Sequence, residues 1–237
     1  EDKKRTIAKE SENEGKDMKS MKKNIAVLGL GRVGLSLVEE LSKLDCQVLA
    51  IDKDPVKVAR AAEFVQNAVI CDVTDQEALE EAGMKEIDHA VIAFGSSTHD
   101  MVLSTVILKE IGVKELTVRV DDEYFNKIVL RLGATSVVSP QSIAGRSLAM
   151  RIASIRIEDY YKMVGDYGIA TINVIKGLDK TIQEFDIRGR FGLNVLLISR
   201  NGKNIVARPS DYLMSGDKVT VFGTGKSITR FEEAINH

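Results

Sequence analysis

Six residues, Gly29-Leu30-Gly31-Arg32-Val33-Gly34, constrain the fold of this chain more than any other stretch. They follow a short apolar run, Asn24–Leu28, and open a segment, Gly34–Leu44, whose apolar residues recur at helical spacing. A second apolar run, Gln47–Asp52, ends in a carboxylate. A bare G-x-G-x-x-G is weak information. With a strand before it, a helix after it and an acid closing the next strand, it marks a turn that cradles phosphate groups. Gly29 permits the tight turn, Gly31 lets the backbone approach a phosphate, and Gly34 lets the helix pack close to the sheet. The helix N-terminus offers free N–H groups and partial positive charge.

The pattern then repeats. Apolar runs Ala68–Cys71, His89–Phe94, Glu115–Val120 and Thr135–Val138 alternate with helical segments Pro55–Phe64, Asp75–Gly83, Thr98–Ile111 and Glu123–Leu132. The runs are continuous rather than alternating, as strands buried on both faces of a parallel sheet require. Strict alternation predicts an α/β class chain with an N-terminal Rossmann-like, doubly wound parallel sheet over residues 21–140. Pro140 follows the last strand, and Gln141–Ile155 reads as one helix with apolar residues at Ile143, Leu148, Ala149, Ile152 and Ile155. It comes after the sheet is complete, so residues 141–158 form a crossover, a linker or dimer helix. Residues 159–237 form a small α+β C-terminal domain, with strands at Gly168–Val174, Asn194–Ser199, Asn204–Ala207 and Lys218–Phe222. Thr181–Phe185 is a helical turn, Arg200-Asn201-Gly202-Lys203 a hairpin turn, and Lys226–Ile235 a terminal helix. Residues 1–20 are nearly all polar and read as a disordered tail.

Bulk properties exclude several classes. With 33 basic and 35 acidic residues the net charge is -2, so no global field favours nucleic acid or an anionic membrane. No run reaches the roughly 18 apolar residues of a membrane helix, and direct membrane insertion is not expected. Cys46 and Cys71 are too few for a disulfide framework and read as reduced thiols of a cytoplasmic protein. The histidines are His89 at a strand start, His99 at a helix start near Ser96 and Ser97, and His237 at the end. No Ser/His/Asp or Cys/His set, HExxH or paired-cysteine site is present, and Ile128 rather than lysine follows Tyr124 by four. An enzyme is therefore not expected, although a NAD-dependent oxidoreductase stays open as the alternative that the same turn allows.

The binding residues predicted are Gly29, Gly31, Arg32, Val33, Gly34, Asp52 and Lys53, with Asp72, Val73 and Arg119. Asp52 is expected to accept from ribose hydroxyls and to repel a 2′-phosphate. In Cys71-Asp72-Val73-Thr74, Asp72 accepts from an adenine amino group while Val73 packs on the ring, or Asp72 or Thr74 caps the next helix. Arg32 in the loop and Arg119 at the end of the fifth strand suit a polyphosphate, or else make surface ion pairs. This favours ATP or ADP over NAD or NADH.

These residues resemble the RCK domain, the regulator of potassium conductance, as found in the cytosolic gating-ring subunits of bacterial Ktr and Trk potassium uptake systems. The likeness rests on Gly29–Gly34 with its arginine, Asp52, Cys71–Thr74 and the Pro140 crossover, and runs from about Lys23 to His237. It implies self-association into dimers and an octameric ring under a membrane potassium-transporter subunit, at the inner face of the cell membrane. It also implies that ATP and ADP compete for the site, with Arg32 and Arg119 at the terminal phosphates. Members often carry a glutamate after the crossover proline that helps bind a cation. Here Gln141 stands there, a poor sole ligand for a divalent ion, and no metal site is assigned. Many relatives bind cyclic di-AMP in the C-terminal domain. The matching residues are Ile182, Arg188, Asn194 and Pro209, with Gln183 where a second aliphatic residue is usual.

Overall fold

The computed structural model describes residues 23–44, 46–95, 97–154 and 156–236. The polar segment 1–20, Ser96, Ile155 and His237 lie outside the described residues. The contacts divide the chain into two compact units, one ending at Pro140 and the other beginning at Gln141.

In the first unit, β1 (Lys23–Leu28), α1 (Arg32–Ser42), β2 (Cys46–Asp52), α2 (Pro55–Ala61), β3 (Asn67–Ile70), α3 (Gln76–Glu81), β4 (His89–Ile92), α4 (Thr98–Ile111), β5 (Glu115–Arg119), α5 (Asn126–Leu132) and β6 (Ser136–Val138) alternate without exception. All six strands run parallel in the order β3-β2-β1-β4-β5-β6. The order reverses between β1 and β4, and ligands of such sheets lie at that switch point, beyond the strand C-termini.

The continuous apolar strands explain why both faces are covered. Successive residues of β1 point to opposite sides. Ala26 and Leu28 join Leu49, Ile51, Met101, Leu108 and Val129 in one core, under α4 and α5. Val27 joins Val48, Ala50, Val38 and Val58 in another, under α1 and α2. Each fully buried aliphatic side chain stabilises the sheet by about 1.5–3 kcal/mol. Side-chain caps start the helices: Asp54 accepts from Val56 N–H at 2.9 Å, Asp75 from Ala78 N–H at 3.1 Å, and Ser97 from Asp100 N–H at 3.2 Å. Gly112 and Gly133, both left-handed, end α4 and α5.

The second unit starts with α6 (Pro140–Ala153). It continues through β7 (Ile157–Lys162), β8 (Tyr167–Asn173), β9 (Gly177–Thr181), α7 (Ile187–Phe191), β10 (Asn194–Arg200), β11 (Lys203–Val206), β12 (Tyr212–Met214), β13 (Lys218–Thr224) and α8 (Gly225–Asn236). Five antiparallel strands lie in the order β11-β10-β13-β8-β7, and β12 pairs with β9. The four strands expected from the sequence are β8, β10, β11 and β13. Three short strands and α7 escape a periodicity reading. In β7 a register shift between Ile157 and Asp159 breaks the alternation, and α7 holds two arginines and a glycine in five residues. Ile228, Phe231 and Ile235 of α8 pack on Ile172, Val219 and Val221 of the sheet. On α6, Ile143, Leu148 and Ile152 are 62%, 54% and 72% exposed in the single chain.

A buried ion pair clasps this unit. Arg200 of β10 donates from Nε and Nη2 to the two carboxylate oxygens of Asp217 at 2.8 and 2.7 Å, and from Nη2 to Tyr212 carbonyl at 2.8 Å. Asp217, 2% exposed, also accepts from Met214 N–H at 2.7 Å. One residue pair thus ties β10, β12 and the start of β13. Burial alone would raise the Asp217 pKa, but the Arg200 guanidinium and the Met214 N–H outweigh it and hold the carboxyl below its usual range. The clasp contribution is therefore complete above the ordinary carboxylate pKa of about 3.9 and is lost as pH falls through the lower folded value. Asp217→Ala should cost roughly 2–4 kcal/mol in urea unfolding at pH 7, less than a fully buried pair because Arg200 reaches solvent. The variant should also lose this part of the acid dependence, which unfolding curves between about pH 5 and pH 3 would show.

Candidate functional site

The glycine turn sits where β1 gives way to α1. Gly29 adopts φ +92°, and a Cβ there would lie 2.8 Å from Cδ1 of Phe94. Gly34 is tighter: its Cβ would lie 1.9 Å from the Gly29 carbonyl oxygen, inside any contact distance. Gly31 is the reverse case. It caps α1 with an extended backbone and no side-chain cap, and a Cβ there would meet no protein atom within 4 Å. Two glycines lock the turn against the protein, and the third leaves open the space in front of uncapped helix N–H groups.

Asp52, 7% exposed, fixes this turn to the end of β2. Its Oδ2 accepts from Leu30 N–H at 2.7 Å and from Lys57 Nζ at 3.4 Å, and its Oδ1 accepts from Asp54 N–H at 2.9 Å. The carboxylate predicted as a ribose acceptor is thus also the anchor of the loop. Beside it lies a cavity of about 110 Å³, lined by Gly29, Asp52, Lys53, Lys57, Asp72, Val73, Phe94 and Asp100.

Of the predicted residues, Gly29, Asp52, Lys53, Asp72 and Val73 line that cavity. Asp72 Oδ1 accepts from Thr74 N–H at 2.9 Å and Thr74 Oγ1 at 2.7 Å, which lowers its pKa. Asp72 does not cap α3, because Asp75 does. Ser104 Oγ of α4 donates to the Val73 carbonyl at 2.9 Å and ties the segment to that helix. Arg32 is exposed at the first position of α1, with no ion-pair partner among the described residues. Arg119 differs: Nε and Nη2 donate to the Asp121 carboxylate at 3.1 Å each, and Nη1 donates to Ala93 carbonyl at 3.2 Å. Its fork is already engaged by an anion of the protein. Val33 follows on α1, half-buried beside the turn.

Phe94, Lys57 and Asp100 were not legible as cavity residues. Ser97-x-x-Asp100 reads as a helix start, and Asp100 does sit in the first turn of α4, but its side chain also reaches the cavity. Its Oδ1 pairs with exposed His99 Nδ1 at 3.1 Å, which lowers the Asp100 pKa. His89 is taken by structure, with Nε2 at 2.8 Å from Thr117 Oγ1 and Nδ1 at 3.0 Å from Glu115. Among the described residues no group of three or more His, Cys, Asp or Glu is placed to hold a metal ion.

A second cavity, about 370 Å³, opens in the C-terminal unit, and Ile182, Arg188, Asn194 and Pro209 all line it, with Gln183 and Arg208. Backbone bonds Gln183 N–H to Pro209 carbonyl, 3.0 Å, and Ile182 N–H to Asp211 carbonyl, 2.9 Å, hold two walls together. Asp186 also lines the cavity, and its Oδ1 accepts from Gly189 N–H at 3.0 Å. Neither Arg188 nor Arg208 has an ion-pair partner among the described residues, and the cavity carries two arginines and one aspartate.

Comparison with known proteins places these features. The TrkA-N domain family matches residues 25–140 and the TrkA-C domain family residues 177–236. The Ktr system potassium uptake protein C of Bacillus subtilis (strain 168) is 34% identical over 220 residues, covering 92% of this chain and 99% of that protein. This chain belongs to the Ktr family of potassium uptake proteins. The Ktr system potassium uptake protein A of Vibrio alginolyticus is 31% identical over 211 residues, 87% of this chain and 94% of that protein. Among solved structures, the GsuK RCK domain superposes with a TM-score of 0.63 at 18% identity, over 92% of this chain and 49% of that chain. The GsuK channel gives 0.65 at 17% identity, over 92% of this chain and 40% of that chain. This chain spans half or less of those structures, and they share its fold: a Rossmann-like sheet followed by a smaller antiparallel unit.

The glycine contacts separate two effects within this Ktr-family site. Gly34→Ala should lower the melting temperature clearly or prevent folding, because its methyl meets backbone. Gly31→Ala, at φ −70°, should leave the melting temperature within a few degrees of the parent. Thermal unfolding of the two variants checks this.

Proposed function

We propose that this chain is the cytoplasmic regulatory subunit of a potassium uptake system, binding ATP or ADP and gating the membrane subunit through the shape of a ring. The observation that carries the nucleotide part is the uncapped N-terminus of α1 with open space at Gly31 and an unpaired Arg32 beside it. A polyphosphate supplies the negative charge that this end of the helix lacks. The nearby Asp52, Asp72 and Val73 suit ribose and adenine. NAD is the competing ligand, since the GsuK channel has been solved bound to NAD. Arg32 favours the more highly charged terminal phosphates.

The transport part comes from the Ktr relatives, whose names are those of potassium uptake proteins. Among the described residues no helix is long and apolar enough to cross a membrane, so the membrane part falls to a partner. The exposed apolar residues Ile143, Leu148 and Ile152 of α6 support self-association into dimers, and the family likeness supports an octameric ring. The chain works without turnover. A ligand shifts such a ring only by its differential affinity for two shapes.

ATP and ADP differ in the last phosphate, so Arg32 is the sensing group. Arg32→Ala should bring ATP and ADP affinities closer together, by about tenfold, while adenosine binding survives; calorimetry reads both. Gly31→Ala should fold and fail to bind either. In vesicles holding the membrane subunit, potassium flux should differ between ATP and ADP. Equal flux with ATP, with ADP and with no added protein would sink the gating role, and NADH binding more tightly than both would move the site to NAD.

For the second cavity we propose cyclic di-AMP. Its four expected residues share one cavity, and its two phosphates match the two unpaired guanidinium groups of Arg188 and Arg208. Arg188→Ala should weaken cyclic di-AMP by at least about tenfold and leave ADP binding unchanged. Calorimetry with each ligand distinguishes the two sites.

A further inference from the structure

The N-terminal cavity holds more carboxylate than a ribose needs. Asp52 serves the ribose and the loop, yet Asp72 and Asp100 also line the same space of about 110 Å³, one from just beyond β3 and the other from the first turn of α4. Asp72 Oδ1 takes both Thr74 donors, and Asp100 Oδ1 takes His99, while Ser97 also hydrogen-bonds to the Asp100 carboxylate. The bonds from Thr74 and His99 fall on Oδ1 of each carboxylate. Val73 and the Phe94 ring provide apolar surface between them, suited to a flat base.

An exocyclic amine carries two hydrogens, and two carboxylate oxygens on separate walls suit one hydrogen each. Resting on the nucleotide site proposed above, we propose that Asp100 is a specificity-determining residue: with Asp72 it accepts the second N6 hydrogen of adenine, so the cavity selects a 6-amino purine over a 6-oxo purine. Hypoxanthine puts an acceptor, O6, where the two carboxylates need donors, and it sets their oxygens against a lone pair. Both carboxyls are held below their usual range, Asp72 chiefly by Thr74 and Asp100 chiefly by His99, with the charge of Lys53 adding to both. They are anionic at neutral pH and act only as acceptors. Lys53 lies in the same cavity and limits the repulsion between them.

The test uses calorimetry on the full chain with ADP, IDP and N6-methyl-ADP. The parent should prefer ADP over IDP by roughly 10- to 100-fold. Asp100→Asn is close in shape, and its amide can donate to O6. It should shrink the ADP-to-IDP ratio at least about tenfold, and it should remove the penalty for the N6-methyl group. Asp100→Ala, outside the core, should shrink the ratio too, with thermal unfolding confirming that both variants fold. An unchanged ADP-to-IDP ratio in both folded variants overturns the role of Asp100 and leaves the nucleotide site standing. A parent that binds no ADP overturns the nucleotide site itself, and this proposal with it.

Discussion

The hydrogen bond from Leu30 N–H to Asp52 is the contact on which the first unit turns. It ties the residue between the first two glycines to the end of the neighbouring strand, and so fixes where α1 begins. The close contact of Gly34 with the Gly29 carbonyl fixes how near that helix lies to β1. Together they set the helix axis, the uncapped N–H groups and the Asp52 carboxylate in one geometry. A charged acceptor bonded to a backbone donor at 2.7 Å in a nearly dry setting is among the stronger single contacts available to a turn. The same carboxylate cannot be altered for ligand chemistry without loosening the turn that presents the ligand.

Much of the first unit was legible because its physics is local. Parallel strands covered on both faces must be apolar throughout, and helices packed on them must repeat every three or four residues. The glycine turn carried its own spacing. Less legible was what each charged residue would meet. Arg32 and Arg119 look alike in a sequence, yet among the described residues one has no ion-pair partner and the other is held by Asp121, two residues on. Asp100 lies in the first turn of a helix that Ser97 caps, and nothing local in the sequence says that its side chain lines a cavity. Asp72 was open between capping and binding until Asp75 proved to be the cap.

The second unit was harder to read for a different reason. Its strands are short, register shifts interrupt several of them, and α7 spans five residues that include two arginines and a glycine. Long-range pairs hold it together: Arg200 with Asp217, Arg156 with Glu232 at 3.1 Å, and Asn236 with the backbone of Ile175 and Asn173. Such pairs leave no periodic trace. The four residues matched to a cyclic dinucleotide site nevertheless line one cavity, although they come from separate elements between Ile182 and Pro209.

The pairing of Arg119 with Asp121 has a consequence for how such a sheet end responds to anions. The Asp121 carboxylate lies so close to Gly95 that a methyl there would sit 2.4 Å from its Oδ2. Any phosphate that engages Arg119 competes with this resident carboxylate, and a displaced carboxylate must find water beside a loop that has room for nothing larger than glycine. Occupancy at that arginine is then an exchange of one anion for another. The resident carboxylate would lower the apparent affinity of any anion for that arginine, and a more highly charged anion would displace it more readily.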